Sequence, residues 1–155
     1  MYSAVQIAVA FVNKGIAEGN YVTQMKLQKL VYFAHGYHLA TNNQPLIREE
    51  IQAWEFGPVI PSIYHAFKLY GSDVIADLKY ASVSPSDLSI RLSASALETI
   101  NYTWKALSGV SAAKLSAWTH QNGSPWQNVY NPGVRDIRID QEEIQKYFKI
   151  FLQPA

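Results

Sequence analysis

The sequence predicts a mainly α, α+β fold: a single compact multi-helix domain over residues 1–155 with a small antiparallel β-hairpin. Three observations predict it. Apolar residues recur at helical spacing in several stretches, most of them opened by a capping Ser, Thr or Asp. One short, turn-bounded run at Ile51–Phe56 has the look of a strand. The chain has 155 residues, 48 % of them hydrophobic, which supplies one sizeable core and leaves little for a second.

Helix one starts at Ser3, where Ser3-Ala-Val-Gln6 is a capping box: the hydroxyl takes one orphan N–H and Gln6 reaches back. Ile7, Ala8, Phe11 and Val12 then share a face, and Gly15 or Gly19 can end the helix through a left-handed cap. Helix two runs from about Thr23 to Ala40. Leu27, Leu30, Val31 and Ala34 form its stripe, and Met25, Tyr32, Phe33 and Tyr37 carry apolar surface round most of the rest. A helix apolar on most sides is buried, so this is the central element. Leu46-Ile47 and Ile51–Phe56 read as two strands of a hairpin with Arg48-Glu-Glu as its loop, and Gly57-Pro58 reads as the break after it.

Pro61 suits the first position of a new helix, where its missing N–H goes unmissed; Ile63, Ala66, Phe67 and Tyr70 make its face, and Gly71 closes it. Residues 72–92 fit strand, loop or helix, with Ser82–Ser86 as a turn and Leu88, Ile90 and Leu92 in alternation. Ser95-Ala-Leu-Glu98 reads as a capping box before a helix with Ile100, Trp104 and Leu107 on one face. Ser111 caps a short helix bearing Leu115 and Trp118. Ser124-Pro125-Trp126 opens another, and Asp140 caps a last one carrying Ile144, Tyr147, Phe148 and Phe151. The total is six or seven helices and one hairpin.

Composition narrows the function classes. Net charge is +1, with no basic run of the kind that displaces counterions from phosphates, so nucleic acid is not an expected direct partner. The absence of cysteine excludes disulfides, thiolate metal sites and Cys nucleophiles and agrees with a cytoplasmic location. The apolar N-terminal stretch is too short and polar to span a membrane. Aromatic residues make up 13 %, including ten Tyr and four Trp, the ring types that protein interfaces favour.

No chemistry-bearing motif stands out. There is no Gly-x-Ser-x-Gly elbow, phosphate-cradling glycine loop or His-Glu-x-x-His pair. His35 and His38 sit three apart on helix two, and a small metal-dependent hydrolase built on them is the least favoured reading; as satisfied structural histidines they need no metal. Glu49-Glu50 and Glu142-Glu143 read as solvated surface charge. The expectation is a binding protein with no cofactor, no metal and no catalytic residue.

Three segments resemble one known family: Met25–Ala40, Ile51–Lys68 with Tyr70-Gly71, and Leu115–His120 with Ser124-Pro125-Trp126. In this order and spacing they are similar to the Panacea domain, a SocA/GepA-like, phage-associated family. Phe56 stands where the family commonly has Tyr. The resemblance implies an antitoxin, often of prophages and other mobile elements, that neutralises a cognate toxin by direct protein–protein binding. One branch resembles a proteolytic adaptor delivering its client to a ClpXP-type protease, which is the alternative reading. The residues add a physical expectation. Gly57-Pro58 and Pro61 form a stiff turn that holds Trp54, Phe56 and Tyr64 with little freedom to lose on docking. Glu55, Tyr64, His65, Lys68 and His120 read as the polar rim of such a contact. Taken singly, Trp54 and Phe56 also read as core residues, and Ser124-Pro125 aims Trp126 inward.

Overall fold

The computed structural model describes residues 1–152. The fold is built round α2 (Gln24–Asn42). Thr23 caps this helix, its hydroxyl accepting from the Lys26 N–H at 3.3 Å, and Asn43 ends it in the left-handed conformation. Its residues are buried on every side, from Leu27 through Leu39, with Tyr37 alone half-buried. That follows from its neighbours: α1 (Ala4–Glu18), α3 (Pro61–Phe67), α5 (Ala94–Leu107), α6 (Ala112–Thr119) and α8 (Gln141–Phe151) all pack against it. The approach of α8 needs Gly36, because a Cβ there would run into the Phe148 ring. The buried apolar residues form one continuous core.

α1 begins at the predicted Ser3–Gln6 capping box and ends at Gly19, the second of the two glycines the sequence offers. A second acceptor holds its start. The Glu49 carboxylate takes the Ala4 N–H at 2.9 and 3.1 Å and the Ser62 hydroxyl at 3.3 Å. An anion at a helix N-terminus is favoured by the macrodipole. Glu49 is therefore no solvated surface charge, while Glu50 is exposed and meets Arg138 at 3.6 Å.

The hairpin lies elsewhere than the sequence predicts. β2 (Ile51–Trp54) pairs antiparallel with β3 (Gly57–Val59) across a two-residue turn at Glu55-Phe56, with Trp54 opposite Gly57 and Ala53 opposite Pro58. Gly57-Pro58 is thus part of the returning strand. A proline in a strand is tolerated at a sheet edge, and β3 is the edge of the order β3-β2-β5, with β5 at Ile137–Ile139. Leu46-Ile47 is not β2's partner. Ile47 instead bridges Tyr2 in parallel.

Residues 72–92 contain a little of each alternative. β4 (Val74–Ile75) pairs antiparallel with β1 (Val22–Thr23). The short α4 (Pro85–Leu88) is capped by Ser84, so Ser82–Ser86 is more than a turn. Leu88 closes that helix, and Ile90 and Leu92 belong to irregular chain instead of a strand. Ser93, not Ser95, caps α5 by accepting from the Ala96 N–H at 3.2 Å. α6 and α7 (Pro125–Val129) follow their predicted caps at Ser111 and Ser124, and α8 follows Asp140. The described residues hold eight α-helices and two small sheets, an α+β fold. None of these helices is long and apolar enough to cross a membrane.

Candidate functional site

The β2–β3 turn is held from behind by side chains of three helices. The Trp126 indole of α7 donates to the Trp54 carbonyl at 2.6 Å. His120, next to α6, places Nε2 3.4 Å from the Glu55 carbonyl, and Ser116 of α6 donates to the Phe56 carbonyl at 2.8 Å. From α2, the Lys29 ammonium donates to the Pro58 carbonyl at 3.3 Å. Gln28 clamps Ile60 at both ends, accepting from its N–H at 2.8 Å and donating to its carbonyl at 3.1 Å. The carbonyls of Trp54, Phe56, Pro58 and Ile60 thus each take a side-chain donor. Such bonds contribute about 0.5–1.5 kcal/mol each, more where a charge is involved. Their larger effect is to leave the turn one conformation.

Gly57 makes the fit possible. Its φ of 116° is a conformation side chains avoid, and a Cβ there would sit 2.7 Å from the Thr119 hydroxyl and 3.1 Å from the Lys29 Cε. Glycine lets α2 and α6 close on the turn from both sides.

The outer surface is apolar. Phe56, at the tip of the turn, is 58 % exposed, which overturns its reading as a core residue. Trp54 is half-buried; its ring meets Tyr64 edge-on at 5.3 Å, and its indole donates to Gln52. Trp54, Phe56, Val59 and Tyr64, with Met25 from the first turn of α2, line a groove of about 480 Å³ floored by Gln28 and Lys29. On the other side of β2, a second cleft of about 560 Å³ lies between Trp54-Glu55 and the 130–136 loop.

The structure brings most of the predicted residues to this region but gives them different positions. Glu55, His65 and Lys68 are exposed, and the His65 ring lies 5.6 Å from Tyr64. Trp126 is buried, as its Ser124-Pro125 start predicts. Its ring lies edge-on to His120 at 3.9 Å and stacks on Tyr130 at 4.5 Å. His120 is half-buried and donates from Nδ1 to the Ser116 carbonyl at 2.6 Å. Sequence reasoning missed Gln28 and Lys29. The available signal was two consecutive polar residues between Leu27 and Leu30, in the apolar stripe of the central helix.

Lys29 is the unusual member. Its side chain is 1 % exposed, and burial pushes its ammonium down to about 8. Among the described residues no carboxylate lies within 4 Å of it.

His35 and His38 are bound into structure. His35 Nδ1 accepts from the Leu46 and Ile47 N–H groups, both at 3.3 Å, which puts its proton on Nε2. Burial, then the neighbouring His38, pushes it down to about 4 against an opposing bond from Gln141. His38 Nδ1 donates to the Gln44 carbonyl at 2.7 Å. Among the described residues no three His, Asp or Glu side chains are grouped to hold a metal.

The three segments that clamp and form the turn are parts of one family pattern. Residues 27–127 match the family described as antitoxin SocA-like, Panacea domain. The chain is also 30 % identical over 157 residues to antitoxin SocA of Caulobacter vibrioides (strain NA1000 / CB15N), covering 92 % of this chain and 80 % of that protein. The chain belongs to the SocA-like Panacea family. No solved structure matches it. The Panacea match opens inside α2, before Gln28 and Lys29, and closes just after Trp126. It therefore encloses the turn and every side chain that holds it, and leaves out α1 and α8.

Proposed function

We propose that this protein is an antitoxin that neutralises a cognate toxin by direct binding, without catalysis, through the β2–β3 turn and the groove beside it. The observation that carries the reading is Phe56: a large ring more than half exposed, on a turn whose carbonyls are held by three helices. A pre-ordered aromatic side chain loses little conformational freedom on docking, and such rings dominate binding energies. The Trp54–Tyr64 pair extends the apolar surface, and Glu55, His65 and Lys68 supply a polar rim. In this reading His120 and Trp126 act from behind, positioning the turn instead of touching the partner. The relative named antitoxin SocA supports the antitoxin role.

The test is co-expression with the product of the adjacent gene. Growth arrest by that product alone, relieved by this chain, with the two proteins co-purifying, is the expected result. A harmless neighbour that does not co-purify would overturn the reading. Relief that depends on a ClpXP-type protease would instead assign the adaptor mechanism.

A further inference from the structure

The stretch from Ala76 through Ser95 is attached to the fold differently from the rest of the chain. None of its residues is buried, although Ile75 before it and Ala96 after it are. None belongs to the buried core; Leu78, Ala81, Val83 and Leu92 lean on that core from outside, and α4 packs on α1. The tethers sit at the two ends. At the first, the Tyr70 hydroxyl donates to the Asp77 carbonyl at 2.7 Å and accepts from the Tyr80 N–H at 3.1 Å, and the Ser82 N–H donates to the Ala66 carbonyl at 2.8 Å. At the second, the Ser93 N–H donates to the Tyr2 hydroxyl at 2.8 Å and the Ser95 hydroxyl to His38 Nε2 at 3.4 Å. Among the described residues no hydrogen bond joins residues 83–92 to the rest of the chain; the bonds there close on α4 and its cap.

We propose that residues 76–95 form a detachable strap, latched by the Tyr70 hydroxyl, that opens with the rest of the fold intact and is the site where a protease first cuts this chain. Local stability follows buried apolar contacts and protected backbone bonds. Both are sparse here, so opening costs much less than unfolding the core and leaves every core residue in place. A cutting enzyme needs chain that can leave its neighbours, and cleavage then follows the population of the open form. Exposure by itself is not enough. Arg48 is exposed in a loop, yet its N–H is bonded to the Tyr2 carbonyl and it lies between buried Ile47 and Ile51. Lys79 and Arg91 are exposed inside the strap. The reaction is hydrolysis: water adds across one peptide bond and leaves a carboxylate and an amine. This inference is independent of the binding role proposed above.

The experiment is limited trypsin digestion of the whole folded chain, with the first cuts placed by mass spectrometry. First cuts after Lys79 or Arg91 are expected, giving two pieces that stay together with an unchanged far-ultraviolet spectrum. The rate should rise only weakly with urea, because little surface opens. Tyr70→Phe keeps the ring and removes the latch, and should speed the first cut by about tenfold. Gly57→Ala, which places a Cβ against Thr119 and Lys29, should lower the stability of the whole chain and leave that rate unchanged. First cuts outside residues 76–95, a rate that rises with urea in parallel with global unfolding, or equal acceleration by Gly57→Ala overturns the strap. An unchanged rate in Tyr70→Phe overturns the latch. Hydrogen exchange of the wild-type chain needs no variant: the Ser82 and Ser93 amides should exchange much faster than those of α2, and equal protection overturns the proposal.

Discussion

The Trp126 indole N–H points at the Trp54 carbonyl from 2.6 Å away, joining residues 72 positions apart in sequence. Trp126→Phe removes the indole N–H together with part of a buried ring that packs on His120 and Tyr130, and is expected to cost about 1–3 kcal/mol of stability. A denaturant titration reads the loss. Faster hydrogen exchange at the β2–β3 amides, with exchange in α1 unchanged, identifies the turn as the part released.

Phe56 separates stability from binding. Because the ring is mostly exposed, Phe56→Ala should change stability by less than about 0.5 kcal/mol. The same variant should lose growth rescue in the co-expression assay. A variant that rescues fully shows that the turn is not the docking site.

Gly57 has both a strained backbone and no room. Gly57→Ala puts a Cβ against the Thr119 hydroxyl and the Lys29 side chain at a φ of 116°. It should destabilise the protein by more than about 1 kcal/mol. Gly71 makes a useful contrast: its φ is also positive, but a Cβ there meets nothing within 4 Å. Thermal melts should rank Gly57→Ala well below Gly71→Ala.

His35 should make the fold sensitive to acid. Its pKa is about 4 in the folded chain and near 6.5 when unfolded. The unfolded state thus binds the extra proton between those values, and stability falls as pH drops from about 6.5 to 4. The contribution is full above pH 6.5 and amounts to about 3 kcal/mol over the window. Protonated Nδ1 also ceases to accept from Leu46 and Ile47. Denaturation midpoints at pH 7 and pH 5 should differ more for the wild type than for His35→Gln.

The helix starts were legible because capping is local. Ser3, Thr23, Ser111, Ser124 and Asp140 each bond an N–H two or three residues ahead. Ser95 failed as a cap because Ser93, two residues earlier, has the same chemistry and takes the role. The hairpin was misplaced because proline lacks a ladder donor, and only an edge position makes that harmless. Pro58 has such a position because β5 takes the other side of β2. Pairing with β5 depends on residues 137–139, far from the turn in sequence, and no short-range pattern announces it.

The amino-acid order alone determined the helices other than α4, the buried character of α2 and the aromatic wealth of the Ile51–Lys68 block, because periodicity and capping act over a few residues. It also carried the family resemblance. Only the tertiary structure decided that Phe56 faces outward, since an apolar ring beside a turn suits a core or a contact surface equally well. It alone set Lys29 behind the β2–β3 turn, with no carboxylate within 4 Å among the described residues. Burial and charge pairing depend on which distant segments arrive at the same place, and packing of the whole chain determines that.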